Sequence, residues 1–132
     1  MPATHIRAVT ALFLMCLAVL ARGAHAVPAR HCTIVGTPGD DFILGTRGND
    51  VICGLGGNDK IDGDLGNDVI YGGSGNDLIE GGPGRDTIYG GPGNDTVFSW
   101  DGAKDVIDGG PGKDRAFTDK TLDKVRNVEQ FG

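Results

Sequence analysis

Aspartate recurs at a constant spacing through the middle of this chain, and this spacing is the feature most able to support chemistry. Read from Gly36, the sequence divides into nine consecutive units ending at Phe117; each has nine residues, except the eighth, which has ten. Every unit carries an Asp just before its last three residues. These are Asp41, Asp50, Asp59, Asp68, Asp77, Asp86, Asp95, Asp105 and Asp114. Carboxylates are hard oxygen donors, so a regular series of them could bind hard divalent cations.

Each unit combines a turn with a very short strand. Glycine is common at the first, second and fourth positions and Asn at the fifth, and both residue types tolerate a positive φ, which predicts a turn. The last three positions centre on one small or β-branched apolar residue, which predicts a strand with a single inward side chain. These inward residues are Ile43, Ile52, Ile61, Ile70, Ile79, Ile88, Val97, Ile107 and Ala116.

Strands this short cannot bury a core alone, so the units must stack. Two units would form one coil, whose strands pair in parallel with those of the next coil about 4.8 Å away. Odd units then build one sheet and even units the other, with the Ile and Val side chains between them. The repeats therefore predict an all-β fold, a right-handed parallel β-roll with two sheets.

Turns of alternate units would align along the same edge of this roll. One edge would carry Asp41, Asp59, Asp77, Asp95 and Asp114, and the other Asp50, Asp68, Asp86 and Asp105. Stacked carboxylates repel one another, and a divalent cation between turns would relieve the repulsion. The flexible, all-oxygen surroundings suit calcium better than magnesium. Alternatively, each Asp has a structural role and caps its own turn by accepting backbone N–H bonds.

The units resemble the nonapeptide GGxGxDxUx of the repeat-in-toxin (RTX), or haemolysin-type, calcium-binding family. The resemblance covers residues 36–117, and the first seven copies follow one another without a gap. It implies that the nine Asp side chains bind Ca²⁺ together with turn carbonyls such as those of Gly54, Gly63, Gly72, Gly81 and Gly90. It also implies roughly five ions, and at most seven, since the nine turns enclose four gaps on one edge and three on the other.

Three places depart from the repeat. Ser99 and Trp100 begin the eighth unit, and an extra residue precedes Asp105, so we expect the turn there to differ. We expect Trp100 to pack against the roll; the alternative is that it belongs to a contact surface. Leu55 and Asp64 replace the second glycine of their units without, we expect, abolishing the turn. The row of inward apolar side chains should become narrower at its last member, Ala116, and residues 118–132 should form a C-terminal cap. Residues 27–35 are predicted to form an N-terminal cap.

The first 26 residues are typical of a secretory signal peptide. An apolar stretch, Ala8 to Leu20, precedes the small-x-small pattern Ala24-His25-Ala26. The alternative is a membrane anchor, but the stretch is short for a bilayer span. We therefore expect a secreted, extracellular protein without a membrane span.

Removal of residues 1–26 leaves two cysteines, Cys32 and Cys53. In an oxidising compartment these two thiols would pair as a disulfide. The alternative is two unrelated buried thiols.

The composition argues against several functions. With 18 acidic and 12 basic residues and a net charge of −6, the chain offers no basic face to nucleic acid. It contains neither HExxH nor GxSxG, and His31 is the only histidine after residue 26, so we expect no enzyme activity and disfavour a hydrolase remnant. Ice binding is disfavoured because only Thr37 and Thr46 could start a threonine array, on opposite edges.

The sequence thus predicts a secreted protein that folds on binding several Ca²⁺ ions, since an acidic chain with few large apolar residues is otherwise disordered. The alternative is a surface adhesion or accessory module. Its outer even-sheet face would pack against a cap, a second copy, or a cell-surface or glycan partner. That face would carry Val51, Cys53, Val69, Tyr71, Tyr89 and Val106. The odd-sheet face would carry Lys60, Asp62 and Glu80.

Overall fold

The computed structural model describes residues 4–6, 31–119 and 121–132, and its thirteen named elements are all β-strands. In chain order they are β1 Thr4–Ile6, β2 Ile34–Val35, β3 Asp41–Leu44, β4 Val51–Cys53, β5 Lys60–Asp62, β6 Val69–Tyr71, β7 Leu78–Glu80, β8 Thr87–Tyr89, β9 Thr96–Ser99, β10 Val106–Asp108, β11 Arg115–Thr118, β12 Lys124–Arg126 and β13 Gln130–Phe131.

The strands alternate between two sheets along the chain. The order of the first sheet is β1-β3-β5-β7-β9-β11-β13, and that of the second is β12-β10-β8-β6-β4-β2. Neighbouring strands run parallel, so each coil contributes one strand to each sheet. The chain is an all-β, two-sheet parallel roll, which confirms the fold predicted from the repeats.

One apolar side chain from each repeat fills the space between the sheets. Ile43 pairs with Ile61 and Ile61 with Ile79 in one sheet, while Ile52 pairs with Ile70 in the other. All nine inward residues predicted from the repeats are buried, and Ile34 joins them one unit earlier. Complete burial of one such side chain contributes about 1.5–3 kcal/mol, so this ladder supplies most of the apolar stabilisation.

The two ends of the repeat array continue the roll. At the C-terminal end, β12 pairs with β10 and β13 with β11, so each sheet gains one strand beyond Phe117. The core ladder does not end at Ala116: Val125 packs against it, and Phe131 lies opposite Ala116 with 56% of its surface exposed. At the other end, β2 pairs with β4.

Cys32 and Cys53 form a disulfide with a Cα–Cα distance of 6.0 Å. The bond joins the segment before β2 to the end of β4. Most of the predicted signal peptide, residues 1–3 and 7–26, lies outside the described residues, as do residues 27–30. The described part, β1, pairs with β3. Within the described residues, no helix is long and apolar enough to cross a membrane.

The outer faces differ from the sequence-based expectation. Tyr71 and Tyr89 stack on the even-sheet face with ring centroids 4.9 Å apart. The odd-sheet face has its own stack, Phe98 on Phe117, again at 4.9 Å, and carries exposed apolar side chains such as Leu78. The predicted contrast between an apolar even face and a polar odd face was therefore incomplete.

Trp100 is 74% exposed. The prediction that it packs against the roll was wrong, because the longer eighth unit places it in a turn outside the sheets.

Candidate metal centre

The repeat aspartates are buried in the turns at the two edges of the roll. None of the nine has more than 7% of its surface exposed, although Asp is normally a surface residue. They are buried because each lies at the start of a strand or directly before it, and its side chain points into the stack of turns. Groups of this kind require partners for both carboxylate oxygens.

In every repeat Asp except Asp41 and Asp50, one carboxylate oxygen, Oδ1, accepts a backbone N–H from the preceding turn of the same edge. In every pair of successive coils, the Asp N–H of the earlier turn donates to Oδ1 of the later Asp at 2.8–2.9 Å. The first edge links Asp41, Asp59, Asp77, Asp95 and Asp114, and the second links Asp50, Asp68, Asp86 and Asp105. The carboxylates are thus stacked in the two rows that the spacing predicted.

Both rows extend beyond the predicted residues. The Asp105 N–H donates to Asp123 Oδ1 at 3.0 Å, and the Asp114 N–H donates to Glu129 Oε2 at 2.6 Å. Asp123 lies one full coil after Asp105 and could have been found from the repeat. Glu129 follows Asp114 by only fifteen residues, so the repeat spacing gives no signal for it.

Asparagine at the fifth position forms a second ladder outside the first. The Asn76 N–H donates to Asn58 Oδ1 at 2.9 Å, and the Asn94 N–H donates to Asn76 Oδ1 at 2.8 Å. The sequence had suggested a positive φ for these Asn residues, but none of them adopts one. Positive φ occurs instead at the second and fourth positions, including Leu55 at 80° and Asp64 at 66°.

The second oxygen of most carboxylates lacks a partner. Oδ2 is buried without any hydrogen bond in Asp59, Asp68, Asp77, Asp86, Asp95 and Asp114. Leaving one buried oxygen of a charged group without a hydrogen bond lowers the stability of the fold by about 1–3 kcal/mol or more. Six such atoms in two short rows form an environment that a cation would satisfy.

Main-chain carbonyl oxygens lie beside these unpartnered atoms. A Cβ added to Gly72 would lie 2.5 Å from Asp77 Oδ2 and 2.6 Å from the carbonyl oxygen of Gly90. Glycine at the first position therefore leaves room where a carboxylate and a carbonyl of the next coil approach each other. Such a set of hard oxygen atoms fits Ca²⁺.

The acidic side chains form rows rather than compact clusters. Among the described residues, no three or more His, Cys, Asp or Glu side chains converge on one point. An ion in the roll would therefore draw many of its ligands from main-chain carbonyls.

The ion-free roll disfavours ionised carboxylates. Burial is the main cause, and it raises the pKa of Asp59, Asp86 and Asp95 to about 7 and that of Asp68 to about 6. Neighbouring carboxylates add to the shift, as Asp77 does for Asp59. Burial also raises the pKa of Asp77, Asp105 and Asp114. A cation beside these groups would reverse the effect.

Comparison with known proteins gives one family and one similar structure. The model of the RTX calcium-binding nonapeptide repeat, which has four copies, matches residues 35–70, 71–103 and 84–116. No curated protein matches the chain.

The fold is similar to the solution structure of the AlgE6R3 subunit from the Azotobacter vinelandii mannuronan C5-epimerase, with 35% identity and a TM-score of 0.50. The match covers 61% of this chain and 50% of that chain, so it spans about half the length of the epimerase subunit.

Proposed function

Since this chain belongs to the RTX calcium-binding nonapeptide repeat family, we propose that it is a secreted protein that folds into its roll on binding several Ca²⁺ ions. The repeat aspartates would supply the side-chain ligands and the glycine-rich turns the carbonyl ligands. The observation that carries this proposal is the set of six buried, unpartnered Oδ2 atoms.

Calcium would supply what the roll otherwise lacks. Its charge would offset the repulsion within each row of carboxylates and the cost of their burial. The apolar ladder has a single side chain per repeat, so the roll has little other stabilisation against the chain entropy lost on folding. Because the sites exist only in the folded chain, the free energy of binding becomes free energy of folding.

Two features support a location outside the cell. The first 26 residues have the pattern of a cleavable signal peptide, and the Cys32–Cys53 disulfide is of a kind that persists in oxidising compartments. Extracellular calcium is abundant enough for weak sites of the 10⁻⁴–10⁻³ M class, on the order of its concentration there, to be filled. Folding would then accompany export.

A titration of the chelator-treated protein tests the proposal. Circular dichroism should change from a disordered to a β-rich spectrum on addition of Ca²⁺ and return on addition of EGTA. Magnesium at the same concentration should have a much smaller effect. A β-rich spectrum that is the same with and without chelator, together with no heat of binding in calorimetry, would contradict it.

A further inference from the structure

The nine repeat turns fall into two classes, which differ in what the Asp Oδ2 atom contacts. In six turns, which we call open, this oxygen has no partner. In the other three, those of Asp41, Asp50 and Asp105, which we call closed, it accepts a hydrogen bond from a hydroxyl group of the same turn.

Threonine closes the first two turns. Asp41 Oδ2 accepts the Thr37 N–H at 2.5 Å and the Thr37 hydroxyl at 2.9 Å. Asp50 Oδ2 accepts the Thr46 N–H at 2.7 Å and the Thr46 hydroxyl at 2.9 Å. Each of these carboxylate oxygens therefore has two donors within its own turn and needs no cation to be satisfied.

The backbone of these two turns differs from that of the later ones. None of Thr37, Gly39, Thr46 and Gly48 has a positive φ. Units three to seven and unit nine have positive φ at both their second and fourth positions, with Leu55 and Asp64 held there despite their side chains. In later turns the second-position N–H has another acceptor: those of Gly73 and Gly91 donate to the carbonyl oxygens of Gly90 and Gly109 at 3.0 Å.

Serine closes the turn of the eighth unit. The Ser99 hydroxyl donates to Asp105 Oδ2, and both residues are fully buried. The irregular unit thus satisfies its carboxylate with a hydroxyl, as the first two units do, although Ser99 stands at the first position and not the second.

With Asp123 and Glu129 at their ends, the two rows enclose nine gaps, one after each repeat Asp. We infer that hydroxyl groups take the place of calcium at three of these gaps, those after Asp41, Asp50 and Asp105, so the roll binds at most six ions. This inference rests on the proposed function. The ions would be held by Asp59, Asp77, Asp95 and Asp114 on one edge, and by Asp68 and Asp86 on the other. Thr37, Thr46 and Ser99 then determine which turns are occupied, because an ion at a closed turn would have to replace hydrogen bonds already made.

Calorimetric counting of bound Ca²⁺ in the full chain tests the inference in both directions. The double variant Thr37→Gly/Thr46→Gly gives both units the GGxGxD pattern and should raise the number of bound ions by one or two. Arg47→Gly is its matched control, because it adds a glycine to the same turn but keeps the threonine, and its ion count should equal that of the wild type.

The reverse change closes an open turn. Leu55→Thr gives the third unit the pattern of the second and should remove one ion, whereas Leu55→Val, which has the same branched shape without a hydroxyl, should keep it. Unchanged ion counts in both Leu55→Thr and the double threonine variant would overturn the inference while leaving the proposed function intact. Absence of calcium binding in the wild type would overturn both.

The ion count of the wild type needs no variant that folds. More than six bound Ca²⁺ ions for each chain in calorimetry would also overturn the inference.

Discussion

Single residues in the turns show how the backbone of the roll constrains side chains. Leu55 adopts a φ of 80°, a region that is unfavourable for a residue with a Cβ by about 1–2 kcal/mol. The next coil holds Leu55 in place, since the Leu55 carbonyl oxygen accepts the Ser74 N–H at 3.2 Å. The strained position lies in a turn in which Asp59 Oδ2 is buried without a hydrogen bond.

Glycine at this position should relieve the strain. Leu55→Gly should yield a calcium-bound protein more stable than Leu65→Gly by about 1–2 kcal/mol, because Leu65, one unit later and one position further on, has no positive φ to relieve. Both changes add the same chain entropy to the unfolded state, so the difference in stability between the two variants measures the backbone strain at Leu55. Urea denaturation in saturating calcium gives both free energies; equal values would show that Leu55 is unstrained.

At the scale of elements, the strands are three or four residues long through most of the array, and each buries one side chain fully. Stability therefore depends on identical side chains stacked in register, as Ile52, Ile70 and Ile88 are. A cavity at one step removes contacts from the steps on both sides as well as from the opposite sheet.

Truncation within the ladder should be costly for this reason. Ile70→Ala should lower the free energy of unfolding by about 2–5 kcal/mol, measured by urea denaturation with Ca²⁺ present. Val69→Ala in the same strand should have a much smaller effect, since Val69 lies on the outer face and is only half-buried. Similar losses for the two variants would argue against a core made of the ladder alone.

These elements also show how far the sequence could be interpreted. The spacing predicted both sheets and the nine core positions, because a nine-residue period leaves one position per unit that can face inward. Ile34 and Asp123 obey the same period and could have been included. The closed turns could not be predicted, since they depend on the sign of φ at Thr37 and Thr46 and on hydroxyl orientation. The sequence suggested those threonines only as candidates for an ice-binding array.

At the scale of the whole molecule, charge dominates. The chain carries a net charge of −6, and its buried acids lie in two rows. Folding without calcium therefore brings like charges together and removes them from water. Protons and calcium ions are two alternative ways of neutralising these rows.

The ion-free roll should consequently be stabilised by acid. In the folded chain the pKa of Asp59, Asp86 and Asp95 is about 7, compared with the ordinary value of 3.8. Folding thus takes up protons between these two pH values. The stabilisation is fully present below about pH 4 and is lost as the pH rises through about 7. In EGTA, circular dichroism should show more β-structure near pH 5 than near pH 8.

Calcium binding should show the opposite trend. Protons compete for the same carboxylates, so the calcium affinity should fall as the pH is lowered from about 7 to about 5. Titration calorimetry at several pH values measures this directly. An EGTA-treated protein that is less folded near pH 5 than near pH 8, or an affinity that rises on acidification, would contradict the arrangement.

The Cys32–Cys53 bond also makes the two ends of the roll unequal under tension. At the N-terminal end a covalent link ties the segment before β2 to β4, so pulling cannot peel the first coil away. At the C-terminal end the last strand, β13, has only two residues. A stretched molecule should therefore unravel from its C-terminus, one coil at a time, and rewind onto the tethered coils when the force is released.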